Sequence, residues 1–198
     1  MYLITAYFDD ATNRKLQQLI DGIAKSSGNN FMPEHNVPPH LTISAFETKR
    51  PDGLILVMES LRGTIHLGEV QFVSIGVFLP YVMYTTPVLD DYLHNMAVEV
   101  YNSINQISGN DNEVSKVDVS KDGLDNGHDS STVNVNKYYN PSKWFPHVTL
   151  GKTLDKEQIR AAFSYIQNNF VPFTGEIVEL GLARTNPHED IVRVGLNV

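Results

Sequence analysis

The chain of 198 residues contains no cysteine and few basic residues. Without thiols it forms no disulfides, uses no thiolate nucleophile and holds no thiolate-bound metal. This absence also fits a reducing compartment. Only 15 Lys and Arg residues accompany 23 Asp and Glu residues, which gives a formal net charge of −8. The acidic balance argues against an extended surface for nucleic acid, although it leaves room for a small phosphorylated ligand or a nucleic-acid end.

Long hydrophobic runs are also missing. The most apolar stretch, residues 70–89, is interrupted by polar residues and by Pro80, so it predicts a pair of strands rather than a membrane span. The first ten residues lack the basic start and the small-residue cleavage site of a signal peptide. We therefore expect a soluble, cytoplasmic monomer that does not associate with membranes.

The patterns that are present predict helices and antiparallel strands. Residues 2–8 are β-branched and aromatic, which is typical of a strand, and Asp9 precedes a helix that ends at residues 28–30. A hairpin is expected from residues 70–79 and 81–86. Because several neighbouring strands are linked by hairpins, the order of elements favours an α+β fold over a parallel sheet.

Three finer predictions concern element boundaries. A short strand is expected near residues 64–67, and Pro87 is expected in the first turn of the following helix. Asp155 and Gln158 have the spacing of an N-terminal capping box. The helix that they open is expected to turn Phe163 towards the core.

Two short segments repeat one pattern. The first reads Pro-His-Leu-Thr-Ile and holds His40 and Thr42; the second reads Pro-His-Val-Thr-Leu and holds His147 and Thr149. Successive side chains on a strand point to opposite faces, so the histidine and threonine share one face and the two aliphatic residues share the other. Each segment can therefore bury an aliphatic pair and present an imidazole and a hydroxyl to a cleft.

The repeat divides the chain into two similar halves, which predicts one bilobal domain over residues 1–198. Residues 109–136 interrupt this arrangement, because they are poor in aromatic residues and carry six acidic and two basic side chains. Such a segment buries too little apolar surface to offset the entropy of ordering it. We expect it to be a mobile insertion.

Two facing imidazoles form a natural acid–base pair. Histidine titrates near pH ~6.5, so one ring can accept a proton from water while the other donates one to a leaving oxygen. Cleavage of a phosphodiester needs both steps, and Thr42 and Thr149 can donate hydrogen bonds to phosphate oxygens. Each His-x-Thr segment supplies only one good metal ligand and no carboxylate cluster lies nearby in sequence, so no metal site is predicted.

The paired motifs resemble the 2H phosphoesterase superfamily, nearest to its LigT-like branch of bacterial 2′-5′ RNA ligases and cyclic phosphodiesterases. The resemblance covers nearly the whole chain. It implies a bilobal, pseudo-symmetric α+β fold with two antiparallel sheets flanked by helices around a central cleft. It also implies cofactor-free, metal-independent chemistry on 2′,3′-cyclic or 2′-5′-linked nucleotides or RNA ends, with ligation as the reverse reaction. By the same resemblance, His147 would activate water and His40 would protonate the leaving oxygen; pseudo-symmetry leaves the reverse assignment open.

Further residues have two open interpretations. Lys152 stands where many relatives carry arginine, and is either a phosphate ligand or a solvated lysine at a strand end. The aromatic residues of the hairpin either pack locally or stack on a base; they are Phe78, Tyr81 and Tyr84. His35 is expected to be an exposed loop residue and His188 a surface residue.

Two alternative functions remain open at the level of sequence. The low content of basic residues fits a module that binds a nucleotide or an RNA end without turnover. A phosphodiesterase that acts on a cyclic phosphate other than a nucleotide would use the same two motifs.

Overall fold

A computed structural model describes residues 1–48, 51–79, 82–109, 133–185 and 188–197. The strands are β1 (Tyr2–Phe8), β2 (Leu41–Thr48), β3 (Gly68–Phe78), β4 (Val82–Pro87), β5 (Val133–Val135), β6 (Val148–Gly151), β7 (Phe173–Arg184) and β8 (Glu189–Gly195). The helices are α1 (Asp10–Ser27), α2 (Phe31–Glu34), α3 (Leu54–Thr64), α4 (Asp91–Gly109) and α5 (Lys156–Asn169).

The eight strands form one hydrogen-bonded system in the order β1-β2-β6-β4-β3-β7-β8, with β5 on β2. All the pairings between these strands are antiparallel. Strand β7 pairs with β3 through residues 173–177 and with β1 and β8 through the rest of its length. It is therefore common to two lobes, one built on β5-β2-β1-β7-β8 and the other on β6-β4-β3-β7. The predicted α+β class is confirmed, and its two sheets are joined through β7.

The helices pack on both lobes. Helix α1 packs mainly on α5 and β6 and also contacts β1 and β7, whereas α3 and α4 contact each other and the strands of the first lobe. Asp9 caps α1 by accepting hydrogen bonds from the backbone of Ala11 and Thr12, and Gly28 ends the helix at a positive φ of 71°. The capping box of Asp155 and Gln158 is present at the start of α5. Within the described residues, no helix is long and apolar enough to cross a membrane.

Two boundary predictions are wrong. Pro87 ends β4 opposite Phe72, and α4 begins only at Asp91, because Asp90 supplies the carboxylate that accepts from a backbone N–H of its first turn. Residues 64–67 hold the end of α3 and a single bridge at His66 instead of a strand.

The third correction concerns the buried face of α5. This helix buries Ala162 and Ile166, while Phe163 is 40% exposed. The buried apolar stripe of α5 is narrower than its sequence suggests, because the helix packs mainly on one other helix, α1.

Strand β5 lies within the segment 109–136 that was assigned to an insertion, and it pairs with residues 46–48 of β2. Residues 110–132 of that segment lie outside the described residues.

Replacing Gly181 with alanine is expected to lower the free energy of unfolding by about 2 kcal/mol, as overpacking does in a tight core. Gly181 lies in β7 between β1 and β8. A Cβ there would meet the ring of Tyr7 at 2.4 Å and the hydroxyl of Thr5 at 2.8 Å. Urea denaturation measures the loss. The matched control is Gly63→Ala on α3, where a Cβ has nothing within 4 Å; equal stabilities of the two variants would contradict this packing.

Candidate active site

One backbone pairing brings the two repeated segments together. Strands β2 and β6 are joined at a single antiparallel pair, Leu41 with Val148. Directly opposite residues of an antiparallel pair project to the same face. Both side chains are fully buried in the core, so the residues on either side of them project to the opposite face.

The polar residues of the motifs meet on that opposite face. One step from the joined pair, His40 stands opposite Thr149 and Thr42 stands opposite His147. All four side chains are half-buried, and all four line one cavity of about 650 Å³. The structure therefore brings the four predicted residues to a single site.

Both imidazoles are held in the same way. Nδ1 of His40 lies 2.8 Å from the carbonyl oxygen of Pro38, and Nδ1 of His147 lies 2.9 Å from the carbonyl oxygen of Phe145. A carbonyl oxygen only accepts, so each Nδ1 carries the proton and each Nε2 of a neutral ring keeps its lone pair. Neither Nε2 has a hydrogen bond to a residue that the structure describes. Each ring thus offers a proton acceptor in a fixed orientation.

Two side chains fix the backbone around the motifs. Trp144 is buried, as expected of a packing residue, and its indole N–H donates to the carbonyl oxygen of Thr42 at 2.9 Å. The hydroxyl of Thr86 donates to the carbonyl oxygen of Pro146, immediately before His147, at 2.7 Å. These bonds connect each motif to the neighbouring segment and limit how far the two histidines can separate.

Burial favours the neutral form of both rings. Desolvation lowers the pKa of His40 to about 4, and the hydrogen bond to Pro38 acts in the opposite direction. Desolvation likewise lowers the pKa of His147, again opposed by its bond to the carbonyl of Phe145. Near pH 7 the empty site therefore holds two neutral imidazoles. A bound anion would raise both pKa values, because it stabilises the charged rings.

The rest of the cavity wall carries little charge. Among the lining residues that the structure describes, Lys152 is the only lysine or arginine, and none is a carboxylate. The ammonium of Lys152 lies 5.5 Å from the centre of the Phe31 ring, and the side chain is exposed. His35 is exposed, as expected, and stacks on Phe31 with 4.1 Å between ring centres. The cavity wall thus combines an aromatic pair with one flexible cation.

Aromatic side chains surround His147. Phe78 lies 5.0 Å, Tyr84 5.5 Å and Phe145 6.1 Å from its ring centre. Phe78 and Tyr84, two of the three predicted stacking residues, also stack on each other at 4.2 Å. Phe78 and Phe145 are 41% and 46% exposed, so part of this cluster is open to a ligand. Tyr81, the third predicted stacking residue, lies outside the described residues.

His188 is not the surface residue expected from the sequence. Its side chain is only 10% exposed, it lines the cavity, and its ring stacks on that of His40. No motif marks His188, and its partners Tyr7 and Asp190 lie on β1 and β8, so the sequence offers no local signal for this contact. Within the described part of the chain, no group of three or more His, Cys, Asp or Glu residues is placed to hold a metal ion.

Comparisons with solved structures agree with this architecture. A crystal structure of a phosphoesterase aligns with a TM-score of 0.54 at 15% identity, over 100% of this chain and 98% of that chain. Escherichia coli LigT aligns with a TM-score of 0.50 at 14% identity, over 100% of this chain, both in complex with phosphate (97% of that chain) and in complex with 3′-AMP (98%). This chain has the LigT-like phosphoesterase fold. The fold implied by the sequence resemblance is thereby confirmed.

Among the comparisons with known proteins, only those of structure found a match. No protein-family model matches the sequence, and no curated protein matches it. Within the LigT-like fold, the cavity formed by the two His-x-Thr segments lies at the junction of the two lobes, where β2 and β6 meet.

Replacing His40 with asparagine is expected to change the pH dependence of stability. The unfolded chain protonates this imidazole near pH 6.5, whereas the folded protein does so only near pH 4. The wild-type protein therefore loses stability as the pH falls from 6.5 to 4, by up to about 3 kcal/mol. The variant lacks this contribution. Free energies of unfolding from urea titrations at several pH values measure the difference.

The control for this prediction is His94→Asn, which makes the same change at an exposed position on α4. It should keep the wild-type pH dependence. If the difference in stability between the wild type and His40→Asn stayed constant from pH 4 to 7, the imidazole of His40 would not be buried in its neutral form.

Proposed function

We propose that this protein is a 2H-type phosphoesterase that cleaves a small phosphodiester by two-histidine acid–base catalysis. The preferred substrates are 2′,3′-cyclic nucleotides and 2′-5′-linked nucleotides or RNA ends. The observation that carries the proposal is the pair of imidazoles in one cavity, each with Nδ1 bound to the carbonyl oxygen two residues earlier. Such anchoring leaves two Nε2 atoms free for proton transfer.

The phosphodiester itself completes the acid–base pair. Its negative charge raises the pKa of both histidines in a cavity where neither is protonated beforehand. One ring then takes up a proton, and the two rings differ in state. In hydrolysis, water attacks phosphorus and loses a proton to the neutral Nε2, the bond from phosphorus to the leaving oxygen breaks, and the protonated Nε2 gives its proton to that oxygen. The carbonyl oxygens of Pro38 and Phe145 stabilise whichever ring is charged.

Thr42 and Thr149 are assigned to the non-bridging oxygens of the phosphate. Each hydroxyl lies on the cavity face beside the histidine of the opposite motif, and neither has a hydrogen bond to a residue that the structure describes. Hydroxyl groups in this position can donate to the equatorial oxygens, on which negative charge accumulates during displacement.

The cavity favours a compact substrate. Its volume of about 650 Å³ lies within the range usual for sites that hold one small ligand. The pair of Phe31 and His35 in the lining offers a stacking surface for a base, and the aromatic cluster in contact with His147 offers another beside the cavity. Among the described residues of the lining, one lysine gives no continuous basic track for a long polynucleotide. Binding of 3′-AMP by LigT, whose fold is similar, supports the nucleotide class.

Alanine at either His40 or His147 is expected to lower kcat for a 2′,3′-cyclic nucleotide by about 10²- to 10⁴-fold, the usual contribution of a general acid or base. Both side chains line a cavity, so the fold should persist, and circular dichroism checks this. His94→Ala, at an exposed position on α4, is the control. Full activity in both single variants would exclude the mechanism.

Thr42→Val and Thr149→Val are expected to weaken inhibition by inorganic phosphate and to lower kcat/KM by about 10- to 100-fold each, because a hydrogen bond to a charged group is worth about 1.5–3 kcal/mol. Valine keeps the shape of the side chain and removes only the donor. Thr42→Ser and Thr149→Ser restore the hydroxyl and should recover most of the loss. Valine variants with wild-type kinetics would show that neither hydroxyl contacts the phosphate.

A nucleotide-binding module is the second candidate. The observation that favours it is the neutral state of both histidines in a cavity lined by a single lysine. Calorimetry with 3′-AMP beside a hydrolysis assay separates the candidates: binding without turnover of any cyclic or 2′-5′-linked nucleotide would favour the module. Turnover of a cyclic sugar phosphate alone would place the substrate outside the nucleotides.

A further inference from the structure

A third histidine, outside both motifs, lies against His40. The rings of His188 and His40 stack with 5.0 Å between their centres and 26° between their planes. Tyr7 lies 6.2 Å from the ring of His40 at a tilt of 57°. Together with the hydrogen bond from Nδ1 to Pro38, these contacts limit the rotation of the His40 ring.

The hydrogen bonds around His188 fix which of its nitrogens carries a proton. The hydroxyl of Tyr7 donates to Oδ1 of Asp190 at 2.5 Å, which commits its only proton. Nε2 of His188 lies 3.1 Å from the same hydroxyl oxygen and 3.4 Å from Oδ1 of Asp190. Since both oxygens can only accept, Nε2 must be the donor. His188 is therefore held at Nε2 and presents its ring face to His40.

Asp190 is held firmly as a carboxylate. Its Oδ2 accepts from Nε and Nη2 of Arg193 at 2.9 and 2.6 Å. The guanidinium of Arg193 in turn lies 3.7 Å from the centre of the Tyr7 ring. Burial alone would raise the pKa of Asp190, but the hydrogen bonds from Tyr7 and Arg193 outweigh it, and the pKa lies below its ordinary value. The Asp190 carboxylate and the Tyr7 hydroxyl thus hold the ring of His188 in place through Nε2.

The two motif histidines differ in these surroundings, although their Nδ1 anchors are alike. The rings closest to His147 are uncharged aromatic side chains. The groups that face His40 are His188 and Asp190 from the segment of β8, Tyr7 from β1 and His147 from the other motif. A proton on His188 repels a proton on the stacked ring of His40. No cation among the described residues is stacked on His147 in the same way.

We propose that His188 is a positioning residue that orients the ring of His40 and, in addition to burial, opposes its protonation. The inference deepens the proposed function and rests on it where catalysis is concerned. It makes His40 the base that accepts the proton of water and His147 the acid that protonates the leaving oxygen. This is the reverse of the assignment implied by the sequence resemblance. The difference lies in β1 and β8, outside both motifs.

Two variants separate the charge of His188 from the shape of its ring. His188→Phe keeps an aromatic ring against His40 and removes the titratable nitrogen atoms, and His188→Gln removes both the ring and the titratable group. Proton NMR of the ligand-free protein then follows the titration of His40. Its midpoint is expected to rise by about one pH unit in both variants, as loss of a nearby like charge predicts. His94→Phe and His94→Gln on α4 are the controls and should leave the midpoint unchanged.

Kinetics give the second measurement. The acidic limb of the profile of kcat/KM against pH reports the base of the free enzyme, and it should move to higher pH with the NMR midpoint. His188→Gln should also lose about tenfold in kcat, because a base whose ring is less constrained is less well aligned; His188→Phe should largely keep kcat. Circular dichroism confirms that each variant is folded.

The outcomes distinguish this inference from the proposed function. An unchanged midpoint of His40 in both folded variants would overturn the role of His188, whether or not the protein hydrolyses cyclic nucleotides. A raised midpoint in a protein that hydrolyses none of them would support the coupling of His188 to His40 and overturn the phosphoesterase proposal. A raised midpoint without a shift of the acidic limb would overturn the assignment of His40 as the base.

Discussion

The site depends on the single backbone pairing between Leu41 of β2 and Val148 of β6. Each strand has its main partners in its own lobe: β2 pairs with β1 and β5, and β6 pairs with β4. The two strands touch only where they begin, and the repeated histidines stand at that point. Strand β7 runs through both lobes and sets their relative positions.

His40 and His147 are anchored in the same way but have different neighbours, and this combination suits acid–base chemistry. The motifs use the same device, a bond from Nδ1 to the carbonyl oxygen two residues earlier, so the two rings have the same tautomer. Two identical groups in identical surroundings would be equally able to hold a single proton, whereas defined catalytic roles need one proton donor and one proton acceptor. The network of Tyr7, His188 and Asp190 touches only His40 of the two, and it thereby removes the equivalence of the two rings.

The cavity lacks the negative charge that the chain as a whole carries. The chain carries a formal net charge of −8, yet the described residues that line the cavity include no carboxylate. Burial keeps both histidines neutral in the empty site, so the cavity avoids the cost of holding two uncompensated cations. An anionic ligand reverses that balance, since its charge stabilises the imidazolium form. Binding and protonation are therefore coupled, and in the proposed mechanism the ligand itself generates the acid.

The sequence by itself determined the alternation of the two motifs, the α+β class, the first helix with its caps and the capping box of α5. These features follow from side-chain periodicity and from contacts within three or four residues, which a chain reveals without its partners. It also identified His40, His147 and both threonines as residues of one face. Only the tertiary structure decided that the two faces meet. Their meeting requires Leu41 to pair with Val148, and these two residues lie more than a hundred positions apart in the chain. The role of His188 was hidden for the same reason: its neighbours come from β1 and β8, which lie on either side of β7 and bring together the two ends of the chain.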